Sequence, residues 1–145
     1  MSTRENIASN LVTVIGNISS PDVKKVTRQP FELDELSQQQ YPAVLIQTIE
    51  ETKEDQEIGS GAKTRICTLE FGITGYIKGS ESNIDTARND LASAVETALE
   101  SDITRNGNAL DTEVISIETD AGSLFPYGAV LITVRVIYEH QAATP

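Results

Sequence analysis

The chain predicts an α+β fold, a largely antiparallel five-stranded sheet with two amphipathic helices on one face, in the order α-β-β-β-α-β-β. Three observations predict it. Ile84, Ala87, Leu91, Ala94, Val95, Ala98 and Leu99 recur at helical spacing, while Asp85, Arg88, Asn89, Ser93, Glu96 and Glu100 take the opposite face. Val130, Ile132, Val134, Val136 and Tyr138 alternate along AVLITVRVIY, which marks a strand with one fully buried side. Cys67, Leu69, Phe71 and Ile73 alternate with Thr68, Glu70, Gly72 and Thr74 in the same way.

Each element has a local cause. Ser2-Thr3-Arg4-Glu5 matches a capping box, and Ile7, Leu11, Val14, Ile15 and Ile18 follow at helical spacing, so a first helix is expected over about residues 3–19. Ser19-Ser20-Pro21-Asp22 ends it. Val23 to Gln29 reads as a short basic edge strand stopped by Pro30. Phe31 to Tyr41 is polar and reads as a helical turn or an irregular connection. Pro42 then introduces the strand AVLIQTIE. Glu50 to Ala62, where Glu50, Glu51, Glu54, Asp55 and Glu57 are opposed only by Lys53, reads as a long solvated hairpin loop. The next strand covers about Lys63 to Ile77, and Lys78-Gly79-Ser80 turns the chain. Ser82 or Asn83 can cap the second helix, which runs from Ile84 to about Asp102 before the stop signal Asn106-Gly107-Asn108. Glu113 to Glu118 reads as a strand with Ile115 and Ile117 inward. A loop bounded by Ala121-Gly122 and Pro126-Tyr127-Gly128 precedes the last strand, and His140 to Pro145 reads as a disordered tail.

The 145 residues, 39% of them hydrophobic, fit one domain over 1–140, with 141–145 as the tail. With few aromatics and no Trp, the core must be built from Ile, Val, Leu and Ala. The second sheet face is half apolar through Ile66, Tyr76, Val114, Leu131 and Ile137, which points to another subunit covering it. The 22 acidic residues outnumber 11 basic ones, and the net charge of -11 argues against nucleic-acid binding. A single cysteine rules out an internal disulfide and favours a reducing compartment. No signal-peptide pattern or membrane-length apolar run is visible, so a soluble, intracellular product is expected.

Chemistry-bearing patterns are weak. Gly59-Ser60-Gly61-Ala62-Lys63-Thr64 lacks the glycine before the lysine and leads into a strand, so it reads as a hairpin tip and not as a phosphate loop. The acidic run lacks calcium-loop spacing. Ser60 has no nucleophile-elbow context, His140 stands in the tail, and nothing local activates Cys67, which reads as a core residue. No catalytic, cofactor or metal residue is therefore assigned. Lys24, Lys25 and Arg28 form the one basic cluster, read as edge protection or as a pairing surface for an acidic neighbouring subunit. Leu124, Phe125 and Tyr127 in the last hairpin serve either to cap the core or to anchor an interface.

The whole order of elements resembles the tail terminator (tail completion) proteins of long-tailed bacteriophages. The resemblance covers about residues 3–139. It is carried by the opening helix with Ile7, Leu11, Val14 and Ile18, then Tyr41-Pro42-Ala43-Val44 and the charged hairpin. It continues through the strand ending at Tyr76, the Ala-rich helix from Ile84 to Glu100, Ile115-x-Ile117-Glu118-Thr119-Asp120, and the closing Val136-Ile137-Tyr138. The resemblance implies a non-enzymatic virion protein that forms a ring, usually of six subunits, at the head-proximal end of the tail, assembled in the host cytoplasm. Its partners would be further copies of itself, the tail tube protein, the head–tail connector or neck protein and, in contractile tails, the sheath, with no cofactor. DNA would pass through the channel without specific binding, and some of Glu50, Glu51, Glu54, Asp55 and Glu57 would face the lumen or the tube, as a loop that orders on docking. A head-side neck or stopper protein, another minor tail protein and a small α+β enzyme are the alternative readings.

Overall fold

A computed structural model describes residues 2–56, 63–79 and 83–145. Glu57, the tip at Gly59 to Ala62, Ser80 and the Ser82 cap lie outside these described residues. Helix α1 spans Thr3–Gly16, strand β1 Lys25–Thr27, β2 Ala43–Asp55, β3 Thr64–Lys78, helix α2 Ile84–Glu100, β4 Asp111–Thr119 and β5 Tyr127–Gln141. The strands lie in the order β1-β2-β3-β5-β4. Only the β1–β2 pair is parallel, so the largely antiparallel expectation holds, with a mixed edge.

The core forms between the helices and one face of this sheet. Cys67, Leu69, Phe71 and Ile73 of β3 meet Val130, Ile132, Val134, Val136 and Tyr138 of β5, all essentially fully buried. Ile7, Leu11 and Ile15 of α1 and Leu91, Val95 and Leu99 of α2 close over them. Each large aliphatic side chain removed from water here contributes about 1.5–3 kcal/mol. Helix α2 passes so close to the sheet that a Cβ at Gly75 would stand 2.5 Å from Leu91 Cδ2, and one at Gly128 2.9 Å from Ile84 Cγ1. Glycine at these two positions sets the height of the helix above the strands.

The structure corrects several expectations. Helix α1 stops at Gly16, where the chain tightens so that Ile18 N–H donates to the Ile15 carbonyl three residues back at 3.2 Å. Ser2 Oγ accepts from Glu5 N–H at 3.2 Å, but the Glu5 carboxylate turns to Arg28. The segment from Phe31 to Tyr41 is, as expected, an irregular connection with helical turns, two short 3-10 pieces at Leu33–Glu35 and Gln38–Gln40. Strand β2 runs on through the acidic run to Asp55, so Glu50, Glu51, Glu54 and Asp55 are strand residues and not a solvated loop. Arg88, assigned by sequence to the solvent face of α2, is buried. Ala94 and Ala98, expected in the core, are only half-buried.

In β4, Val114 pairs with Val134 and belongs to the core side, not to the second face. Pairing then skips Ile115, a β-bulge that leaves it exposed. Ile117 pairs with buried Ile132 and so keeps the helix side, yet it stays exposed because β4 is the edge strand. Strand β5 continues through His140 and Gln141, and Ala142 N–H donates to the Lys63 carbonyl.

Candidate interaction surfaces

The acidic run is divided by a single bulge. Strands β2 and β3 pair Thr48 with Phe71 and Glu50 with Glu70, which leaves Ile49 as the extra residue. That shift reverses the alternation, so Glu51, Lys53 and Asp55 face the helix side while Glu50 and Glu54 face the open side. Without it, Glu50 would have pointed at the core.

Glu51 gathers donors from three elements. Arg4 at the start of α1 donates from Nε at 3.0 Å and Nη2 at 2.6 Å, the bidentate fork that suits a carboxylate. Tyr138 Oη donates to Glu51 Oε1 at 2.5 Å, and Lys53 Nζ stands 3.0 Å from Oε2. Burial alone would raise the Glu51 carboxyl, but the hydrogen bonds from Arg4, Tyr138 and Lys53 outweigh it and hold it at about 2. Burial first, and then the hydrogen bond to Glu51 and its charge, push the Tyr138 phenol well above its usual range. Lys53 Nζ also lies 3.1 Å from Cys67 Sγ and 2.8 Å from His140 Nε2. A carboxylate saturated by three donors and ionised at neutral pH is a poor proton acceptor, so the cluster acts as a tie between hairpin and helix. Asp55 completes the hairpin by pairing with Arg65 at 3.1 Å.

A second tie lies at the opposite end of the sheet. Arg88 Nη1 donates to Asp120 Oδ1 at 2.6 Å, and the two side chains are only 7% and 5% exposed. Arg88 also reaches Asp85 at 3.0 Å. Asp120 accepts from the Leu124 and Ala129 amides, and these bonds with Arg88 keep its carboxyl low against the opposing effect of burial. Sequence reading missed this pair although Arg88 stands four residues after Ile84 and three before Leu91, on the apolar stripe itself. Arg105, fully buried, donates from Nη2 to the Leu99 and Asp102 carbonyls and so closes the C-terminal end of α2.

The open sheet face is partly apolar and only partly covered. Ile49 stands over Gly72 beside Leu131, and the two are 57% and 37% exposed. Ile66 and Ile137 lie half-buried on the same side. Around them Glu50 stands opposite Glu70, Glu54 opposite Ile66, and Glu113 lies 3.9 Å from Arg135. Part of this face is shielded by the chain before β2. Phe31 packs edge-on against Tyr76 with centroids 5.5 Å apart, Tyr41 lies 5.7 Å from Tyr127, and Lys78 sits over the Tyr127 ring.

Of the basic cluster, Lys24 pairs with Asp22 at 2.5 Å, Arg28 pairs with Glu5, and Lys25 opens β1 at the sheet edge. Leu124 and Phe125 are exposed, so they do not cap the core, whereas Tyr127 is the first residue of β5 and half-buried. A shallow groove of about 760 Å³ runs between Asn17 to Pro21 and the Ala94 and Ala98 side of α2. Among the described residues no three His, Cys, Asp or Glu side chains converge as a metal site. No helix there is long and apolar enough to cross a membrane.

No family model matches the chain, and no curated protein matches it. Among solved structures, the chain is similar to one described as "Virion of native gene transfer agent (GTA) particle". The identity is 14%, the TM-score is 0.49, and the match covers 96% of this chain and 92% of that one.

Proposed function

We propose that this protein is a structural component of a phage-like virion, a tail terminator whose copies form a ring, closing the tail tube and offering the surface that joins it to the head connector. The observation that carries the reading is the one-sided burial of the sheet. The helix face is closed except at the β4 edge, while the other face leaves Ile49 and Leu131 in water inside an acidic frame. Isolated apolar residues are ordinary on a protein surface, but a sheet face that keeps large apolar side chains partly uncovered fits a molecule completed by partners. The element order that resembles tail terminators supports the same reading, and so does the charge.

With a net charge of -11, a ring of such chains repels the DNA that would pass through it. Among the described residues of the acidic run, Glu50 and Glu54, on the open face, are the ones available to the lumen or the tube. Glu51 and Asp55 are committed to internal pairs. Recognition here works through repeated shape and buried area, with no bond made or broken.

The test is electron microscopy of the purified protein, alone and mixed with polymerising tail-tube protein. Rings in the first sample and tubes of arrested length carrying a terminal cap in the second are expected. Tubes that grow unchanged in a saturating excess of the protein contradict the reading, and binding to head connectors alone transfers the protein to the neck.

A further inference from the structure

The sheet ends in two open edges of opposite charge. On one side, β4 exposes Glu113 and Glu118 with Ile115 and Ile117 between them. On the other, β1 and its flanks carry Lys24, Lys25 and Arg28 within five positions of a strongly acidic chain. An edge strand presents unpaired backbone donors and acceptors, and exposed apolar side chains along it make it a template for association. Lys24 and Arg28 already have intramolecular partners in Asp22 and Glu5. Both pairs stand at the surface, where such contacts contribute little and exchange readily.

We propose that the β4 edge of one copy seats on the β1 edge of the next, with the carboxylates of Glu113 and Glu118 set against the basic cluster of Lys24, Lys25 and Arg28 and with Ile115 and Ile117 at the joint. The occupant of each edge is thus a second copy of this chain, chosen by charge complementarity. The two patches are different surfaces, so the contact is head-to-tail. Repeated about an axis it closes a ring in which no copy keeps a free edge. The inference rests on the self-assembly reading above and names the surfaces that would carry it.

The test uses charge reversal in the full chain, read by sedimentation velocity after circular dichroism has shown each variant folded. Glu113→Lys with Glu118→Lys makes both edges basic, and Lys24→Glu with Lys25→Glu makes both acidic. Each variant is expected to associate at least tenfold more weakly than wild type. Mixing the two in equal amounts, or combining all four changes in one chain, is expected to restore assembly. If one double variant does not fold, the single changes Glu118→Lys and Lys24→Glu replace it. Wild-type-like assembly of the separate variants overturns the edge contact while leaving self-assembly intact. Loss of assembly without rescue by either combination overturns the pairing of these two edges. A wild-type chain that stays monomeric overturns the self-assembly reading itself.

Discussion

Leu131 and Ile132 are neighbours on one strand, yet Leu131 is 37% exposed and Ile132 is fully buried. The difference holds along much of β5 and separates two surfaces. The helix-side face is closed by aliphatic packing and by two ion-paired ties, Arg88–Asp120 at one end and Arg4–Glu51 at the other. The open face keeps large apolar side chains in water and surrounds them with carboxylates. Folding of the single chain consumes one face of the sheet and leaves large apolar side chains of the other in water.

The comparison breaks most sharply at Asp120. Asp120→Ala leaves Arg88 buried with only the exposed Asp85 and also removes the acceptor for two loop amides. It should cost about 3 kcal/mol in urea unfolding. A loss no larger than that of an ordinary surface substitution would show that the tie is not what closes this end of the helix face.

Glu51 sharpens the same face through pH. Its folded carboxyl, at about 2, lies below the ordinary value near 4.5. Its contribution is therefore present above the unfolded value and lost as pH falls from about 5 toward 2. The wild-type melting temperature should drop through that window, and Glu51→Gln, less stable by about 2 kcal/mol at neutral pH, should drop less. Parallel pH profiles for the two proteins would remove Glu51 from the account.

The smallest expected change in stability tests the open face. Leu131→Ser should alter unfolding by no more than about 0.5 kcal/mol while weakening association. A stability loss equal to that of a core truncation would make the open face part of the fold.

Much of this architecture was legible because periodicity is local. The alternation at Val130 to Tyr138, that at Cys67 to Ile73 and the stripe through Leu91, Val95 and Leu99 each declare a buried face within a few residues. What escaped depends on partners far along the chain. Read locally, Glu50 to Asp55 looks like a solvated loop; its pairing with Arg65 to Glu70 of β3 and the contacts of Glu51 with Arg4, 47 residues before it, and Tyr138, 87 after it, hold β2 through that run. Arg88 looked solvent-exposed for the same reason, since its partner Asp120 lies 32 residues away. Ile115 and Ile117 misled because alternation reveals a face but neither a bulge nor an edge. Of the candidate surface, the basic cluster and the half-apolar second face were visible in advance. The division of the acidic run between the two faces was not, because it follows from the bulge at Ile49.

The claim that the open face and the edges exist for assembly is tested most directly by sedimentation equilibrium of the wild-type protein over a wide concentration range. The account predicts one closed species at a fixed multiple of the 15.7 kDa chain. A single 15.7 kDa species at every concentration contradicts it.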